Sequence, residues 1–290
     1  MNKIGIYYAY WTHSWDADFV PFVARVKRLG FDILEVNAGT VTKMSVRERD
    51  RLRSAAERAG IDLTYCVGLT QEYDIASADR NVRRNGVAFL RKIAAMLKYM
   101  NGKQLGGIIY GSWPSRLPFG KDKRAFLDRS VASMCKVMKT VEDCDVFFNV
   151  EVVNRFEQFL LNTAAEGVAY VKRVGSANCR VLLDTFHLNI EEDSIRDAIA
   201  GTGSHLGHFH IGETNRRPPG RGRMPWAEIF AALRTIKYAG AITMEPFLMQ
   251  GGEVGRDISV YRDLKRGANL DQEAKRSADF VRRGLAGRSR

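Results

Sequence analysis

Eight short runs rich in β-branched and aromatic residues recur along this chain, about thirty to forty residues apart, with helix-like segments between them. They are IGIYYAY (4–10), FDILEVN (31–37), IDLTYCVG (61–68), LGGIIYG (105–111), VFFNVEVV (146–153), CRVLLDT (179–185), LGHFHIG (206–212) and AITMEPF (241–247). Several are apolar on both faces, the pattern of parallel strands covered on both sides. Between them, NVRRNGVAFLRKIAAMLKYM (81–100) has helical spacing, and PWAEIFAALRTIKYAG (225–240) opens with Pro and closes with Gly, the frame of a helix. The helices after the first two strands also end in Gly, at RLGFD and RAGID. Eight strand–helix units with no Gly/Ser/Pro linker predict one α/β domain over 1–290, a (β/α)8 TIM barrel with a C-terminal helix. A doubly wound open sheet is the rival, but it ordinarily carries a glycine-rich loop after its first strand, and YYAYWTHSW has no glycine.

Composition narrows the function classes. No apolar run approaches the roughly 18 residues of a membrane span, and the N-terminus reads as a strand rather than a signal peptide. The four cysteines form no C-x-x-C pair and no regular framework, so a reduced, cytoplasmic protein is expected. The net charge of +12 raises the question of an anionic partner. Most basic residues alternate with acids on helical faces, as in SVRERDRLRSAAERAG (45–60). The densest cluster, RRPPGRGR (216–223), has no interleaved aromatics and no nucleic-acid-binding signature, so a solvated basic surface without nucleic acid is expected.

A barrel of this kind gathers its chemistry at the carboxyl ends of several strands. The fifth strand offers Glu151, the sixth ends on Asp184, the seventh carries His210, and the eighth offers Glu245. Any one of these alone reads as a helix cap, an ion-pair partner or a core histidine. Four successive strands presenting metal-competent side chains at one depth point to a shared site. Three buried carboxylates repel one another and drive protonation unless a cation compensates them. Three oxygen donors and one imidazole suit Mn²⁺, Mg²⁺ or Co²⁺ better than a structural zinc.

These residues also carry a resemblance. GIYYAYW, NVEVVNRFEQ, LDTFHLNIEED, GHFHIGETNR, PPGRGRMPW and MEPF resemble the D-tagatose 3-epimerase / D-psicose (allulose) 3-epimerase family, from the first strand to the C-terminal helix. The resemblance implies a xylose-isomerase-like barrel that interconverts free ketoses at C3 with Mn²⁺ or a similar ion. It implies Glu151, Asp184, His210 and Glu245 as metal ligands, and Glu151 and Glu245 as the acid/base pair. Glu157 and Arg216 match positions that hydrogen-bond the O1 end of the sugar, and His187 one that contacts O2. Trp15, Trp113 and Phe247 match aromatic pocket positions, while Tyr7, Cys66 and Ile108 match positions around O4 to O6. The Cys66 position is similar to the tagatose-type branch, whereas Tyr7 stands where that branch can carry Phe. A homodimer or homotetramer is implied as well.

The chemistry explains the pair of glutamates. The C3 proton of a ketose is acidified by the C2 carbonyl, and a cation chelated by O2 and O3 would stabilise the enediolate. Inversion requires proton removal on one face and delivery on the other, which two carboxylates accomplish and one does not. Three other readings stand beside this one. A phosphosugar epimerase or isomerase would use the loop QGGEVGR (250–256) with Arg216 and Arg217. A DNA-repair nuclease would need several ligand histidines, and of the five here only His210 stands at a ligand position. A sugar-binding protein would have no need of two carboxylates around a metal.

Overall fold

The computed structural model describes residues 2–287. Its eight strands are β1 Ile4–Tyr7, β2 Ile33–Asn37, β3 Asp62–Cys66, β4 Gln104–Gly106, β5 Phe147–Val152, β6 Cys179–Asp184, β7 Leu206–Ile211 and β8 Ile242–Met244. All pair in parallel and in chain order, and β8 pairs with β1, closing the barrel. Gly5 on β1 faces Ile33 on one side and Thr243 on the other. Almost every strand residue is buried, because one face fills the barrel and the other meets helices. Among the described residues no helix is long and apolar enough to cross a membrane.

The helices are α1 Val20–Arg28, α2 Ala38–Lys43, α3 Val46–Ala59, α4 Arg80–Tyr99, α5 Lys123–Asp143, α6 Ala164–Val174, α7 Thr185–Glu191, α8 Ile195–Thr202, α9 Trp226–Thr235, α10 Gly252–Asp257 and α11 Leu270–Leu285. Local chemistry sets their limits. Ser45 with Glu48, and Thr163 with Glu166, form reciprocal capping boxes at the starts of α3 and α6. Gly60 closes α3 in the left-handed conformation, as RAGID predicts. The C-terminal helix α11 packs Phe280 against Trp226 and Phe230 of α9. It is tied to the first half of the barrel by Arg282 to Asp32 (2.8 Å) and by Asp271, which meets Arg25, Arg28 and Trp11.

Several of the expected elements are shorter than the sequence pattern. The run 105–111 continues β4 only to Gly106, because Gly107 takes φ 111° and turns the chain out of the ladder. The run 241–247 stops pairing before Pro246, which has no N–H to give; Glu245 is thereby left at the mouth of the barrel. The helix expected over 225–240 ends at Thr235, and Lys237, not Gly240, adopts the positive φ that follows it. The run 4–10 likewise gives way after Tyr7 to a 3₁₀ turn, Tyr8–Trp11.

One glycine reverses an ordinary rule. Replacing Gly by Ala inside a helix usually stabilises by about 0.5–1 kcal/mol. On α4, however, a Cβ at Gly86 would overlap the Tyr73 carbonyl and stand 2.6 Å from Ile75 Cγ2, so the loop after β3 packs directly on the helix backbone. On α8, Gly201 is exposed with open space around its Cβ position. Gly86→Ala is expected to destabilise by about 1–3 kcal/mol, and Gly201→Ala to stabilise by up to about 1 kcal/mol. Denaturant midpoints of the two variants check this; equal shifts of the same sign would contradict it.

Candidate active site

The register of the last four strands levels their polar residues. Asp184 is paired with His210, and His210 with Thr243, two positions before Glu245. Glu151 (3% exposed), Asp184 (0%), His210 (0%) and Glu245 (7%) converge, each offering one atom to a set whose members all lie within 4.8 Å of one another. His210 Nδ1 is 3.6 Å from Glu151 Oε1 and 3.8 Å from Glu245 Oε2, and it has no hydrogen-bond partner. A divalent cation with bonds of about 2.1 Å holds opposite donors about 4.2 Å apart, so slight contraction would close this set around an ion. An orphaned imidazole nitrogen among three carboxylates fits a cation of the Mn²⁺ or Mg²⁺ type.

Other groups hold these charges in place. Asp184 Oδ1 accepts from the backbone N–H of Phe186 (2.7 Å), capping α7, while Oδ2 accepts from Arg216 Nη1 (3.0 Å). The same Arg216 nitrogen donates to Glu245 Oε2 (2.9 Å), and its guanidinium lies over the Phe186 ring. Arg216 has φ 60° within a tight turn in which its own N–H reaches the Glu213 carbonyl, a left-handed backbone state uncommon for a residue other than glycine. Burial opposes ionisation of Asp184, but Arg216, His187 and His210 outweigh it and hold this carboxyl below its ordinary range. Burial wins at Glu245: with Glu151 and Asp184 adding repulsion, and despite His210 and Arg216, its pKa is pushed up to about 8.

Above this cluster opens a cavity of about 970 Å³. Its walls include every pocket residue expected from the sequence: Tyr7, Trp15, Cys66, Ile108, Trp113, Glu157, His187, Arg216 and Phe247. Glu151 and Glu245 also face it, whereas Asp184 and His210 lie beneath. Glu157 accepts from Trp113 Nε1 (3.0 Å) and Asn154 Nδ2 (3.1 Å), and His187 and Arg216 overcome its burial to keep it readily ionised. His187 Nδ1 accepts from the backbone N–H of Asn154 (3.2 Å), while Nε2 lies 3.3 Å from Arg216 Nη2 and 3.9 Å from Glu151. Tyr7, Trp15 and Phe247 form an aromatic wall with ring centroids 6.2–6.4 Å apart.

Glu35 and His208 join this centre without having been expected from the sequence. Both are fully buried: Glu35 Oε2 contacts His208 Nε2 (2.8 Å), and Oε1 lies 2.7 Å from His210 Nε2. The signal was present in HFH, since residues two apart on a strand share a face. His208 therefore points into the barrel as His210 does.

An eight-stranded parallel barrel with a carboxylate–imidazole centre at its C-terminal mouth defines the class, and residues 23–283 match the family described as the xylose isomerase-like TIM barrel. Within that class the similarities are specific. A D-psicose 3-epimerase of Agrobacterium fabrum is 45% identical over 288 residues, 98% of this chain and 100% of the relative. An L-ribulose 3-epimerase of Mesorhizobium japonicum is 32% identical over 98% of this chain and 95% of its own. A crystal structure of D-psicose 3-epimerase with D-tagatose, from Clostridium cellulolyticum H10, superposes with a TM-score of 0.95 at 46% identity, covering 98% of this chain and 99% of that one. The chain belongs to the ketose 3-epimerases, enzymes that isomerise carbohydrates.

The raised pKa of Glu245 has a measurable consequence in the metal-free protein. A carboxyl whose folded pKa exceeds its unfolded value favours the folded state fully only below about pH 4.5, and that support is lost as pH rises toward 8. Glu245→Gln keeps an oxygen for Arg216 and cannot ionise. The metal-free variant is expected to melt above metal-free wild type near pH 8.5, with the gain fading toward pH 5. Melting temperatures across that range test it; a gain that grows on acidification contradicts the assignment.

Proposed function

We propose that this chain, acting as one catalytic domain, epimerises free ketoses at C3 with Glu151 and Glu245 as paired acid/base groups around a divalent cation, Mn²⁺ in the first instance, held by Glu151, Asp184, His210 and Glu245. The observation that carries this reading is the pair of buried carboxylates flanking His210 Nδ1 on the floor of the cavity. The cation, when bound, supplies Lewis-acid polarisation of the ketose carbonyl. Glu151 and Glu245 come from strands three apart in the barrel, which lets them address opposite faces of C3. One removes the C3 proton and the other returns a proton on the far face; the roles exchange for the reverse reaction. His187 Nε2 and the Arg216 guanidinium meet the sugar oxygens near the reacting carbon, the guanidinium as donor, and Glu157 accepts from a hydroxyl at the O1 end. Tyr7, Trp15, Trp113 and Phe247 exclude water around the sugar.

A free rather than phosphorylated sugar suits the mouth of the cavity. Arg256, the cation of loop 250–256, donates to Asp257 (2.9 Å), and Glu253 also lines the cavity. Cys66 and Ile108 offer little hydrogen bonding at the far end, where an apolar wall separates close analogues by only about 10- to 200-fold. The names of the relatives, D-psicose and L-ribulose 3-epimerase, agree with breadth across hexoses and pentoses. Four free cysteines suit a cytoplasmic setting. Exposed Leu117, Phe119 and Phe156, on loops joined by the Ser115 N–H and Glu157 carbonyl, suit association into a homodimer or homotetramer.

The direct test incubates Mn²⁺-loaded protein with D-fructose, D-tagatose and L-ribulose in D₂O, followed by NMR. The C3 epimers should appear with deuterium at C3 for several sugars, with kcat/KM spread over no more than about three decades. Exhaustive chelation should abolish turnover, and Mn²⁺ or Co²⁺ should restore it. Full activity in protein shown by elemental analysis to be metal-free rules out the cation.

Glu151→Gln and Glu245→Gln are each expected to lower epimerisation by several orders of magnitude, of which general acid–base catalysis ordinarily supplies about 10²–10⁴. One variant should still exchange the C3 proton on its own face, giving deuterium without inversion. Metal content measured in parallel separates lost chemistry from lost cation. Near wild-type epimerisation by either variant contradicts the two-base mechanism.

A further inference from the structure

Glu35 sits in the middle of β2, fully buried, where a carboxylate is costly unless its partners are complete. Its partners come from two other strands. Thr64, its register neighbour on β3, donates its hydroxyl to Oε2 (2.7 Å), and His208 on β7 meets the same oxygen (2.8 Å). Oε1 is left facing His210 Nε2 at 2.7 Å. The three groups could be read as a second cation site, since their donor atoms lie within 4.8 Å of one another. Two direct contacts under 3 Å argue otherwise. An ion bonded at about 2.1 Å separates adjacent donors by about 3 Å or more, so no ion fits between these pairs. Glu35 Oε2 is hydrogen-bonded to His208, and Oε1 stands in close polar contact with His210 Nε2, at an angle outside hydrogen-bond geometry.

A carboxylate only accepts hydrogen bonds. A neutral His210 beside Glu35 therefore carries its proton on Nε2 and turns the Nδ1 lone pair toward Glu151 and Glu245. A cation requires that tautomer and that ring orientation. The opposite arrangement would set a lone pair against an anion and an N–H against the cation. Thr64 and His208 in turn keep Glu35 from rotating, by occupying the oxygen that His210 does not use.

We propose that Glu35, steadied by Thr64 and His208, is a positioning residue that fixes His210 in its Nε2–H form and aims Nδ1 at the cation site. The proposal rests on reading Glu151, Asp184, His210 and Glu245 as that site. Glu35→Gln tests it, because the amide preserves shape while replacing one acceptor by a donor and removing the charge. Expected are a rise of about 10- to 100-fold in the Mn²⁺ dissociation constant, measured by calorimetry, and a changed visible absorption spectrum of the Co²⁺-loaded protein. At saturating Mn²⁺ the loss should fall on kcat, with KM for the ketose nearly unchanged. Thr64→Val should shift the same quantities in the same direction but less. A wild-type protein that binds neither ion would overturn the cation site itself. Wild-type binding matched by Glu35→Gln, in Mn²⁺ affinity and Co²⁺ spectrum, would overturn the positioning role alone. Independently of any variant, ¹⁵N NMR of the histidines in Mg²⁺-loaded wild type should find the His210 proton on Nε2; a proton on Nδ1 would overturn the proposal.

Discussion

Three carboxylates share a few ångströms of buried space with one guanidinium and one imidazole, and most of the molecule can be understood as the means of keeping them there. Like charges at this depth repel strongly and shed charge by protonation where they can. The split between Asp184, held ionised, and Glu245, pushed toward neutrality, is how the protein resolves that repulsion without a cation. Arg216 bridges the two, and its left-handed backbone is the strain accepted to bring it there. A divalent ion would relieve the same repulsion and leave the guanidinium more freedom to meet a sugar.

Much of this centre was readable in the sequence, for a physical reason. The interior of a parallel strand is apolar, so Asp184 after VLL and His210 within HFHI stand out against their surroundings. Glu245 stands out likewise in TMEPF, at the end of the last apolar run. The pocket residues were located through family resemblance, since a lone Trp or Ile at a strand end carries no chemistry of its own. Glu35 escaped because nothing within ILEVN itself names a partner for a buried carboxylate. Only barrel closure sets β2 opposite β7, and contacts 173 residues apart leave no local trace. The lengths of the elements were overestimated where a single residue overrode a good local pattern. At Gly107 a positive φ did so, and after α9 Lys237 took the conformation the pattern assigned to Gly240.

The strands divide into two groups by what they contribute. The cation-competent side chains all come from β5 to β8 or the residue just after, whereas Tyr7, Cys66 and Ile108 come from β1, β3 and the segment after β4. Changes in the first half of the chain can therefore remodel one wall of the cavity while the three carboxylates and His210 keep their places. Glu35 is the exception: it belongs to the first half of the chain but is bonded into the second. It marks the boundary beyond which variation in the early strands would no longer be neutral for the chemistry.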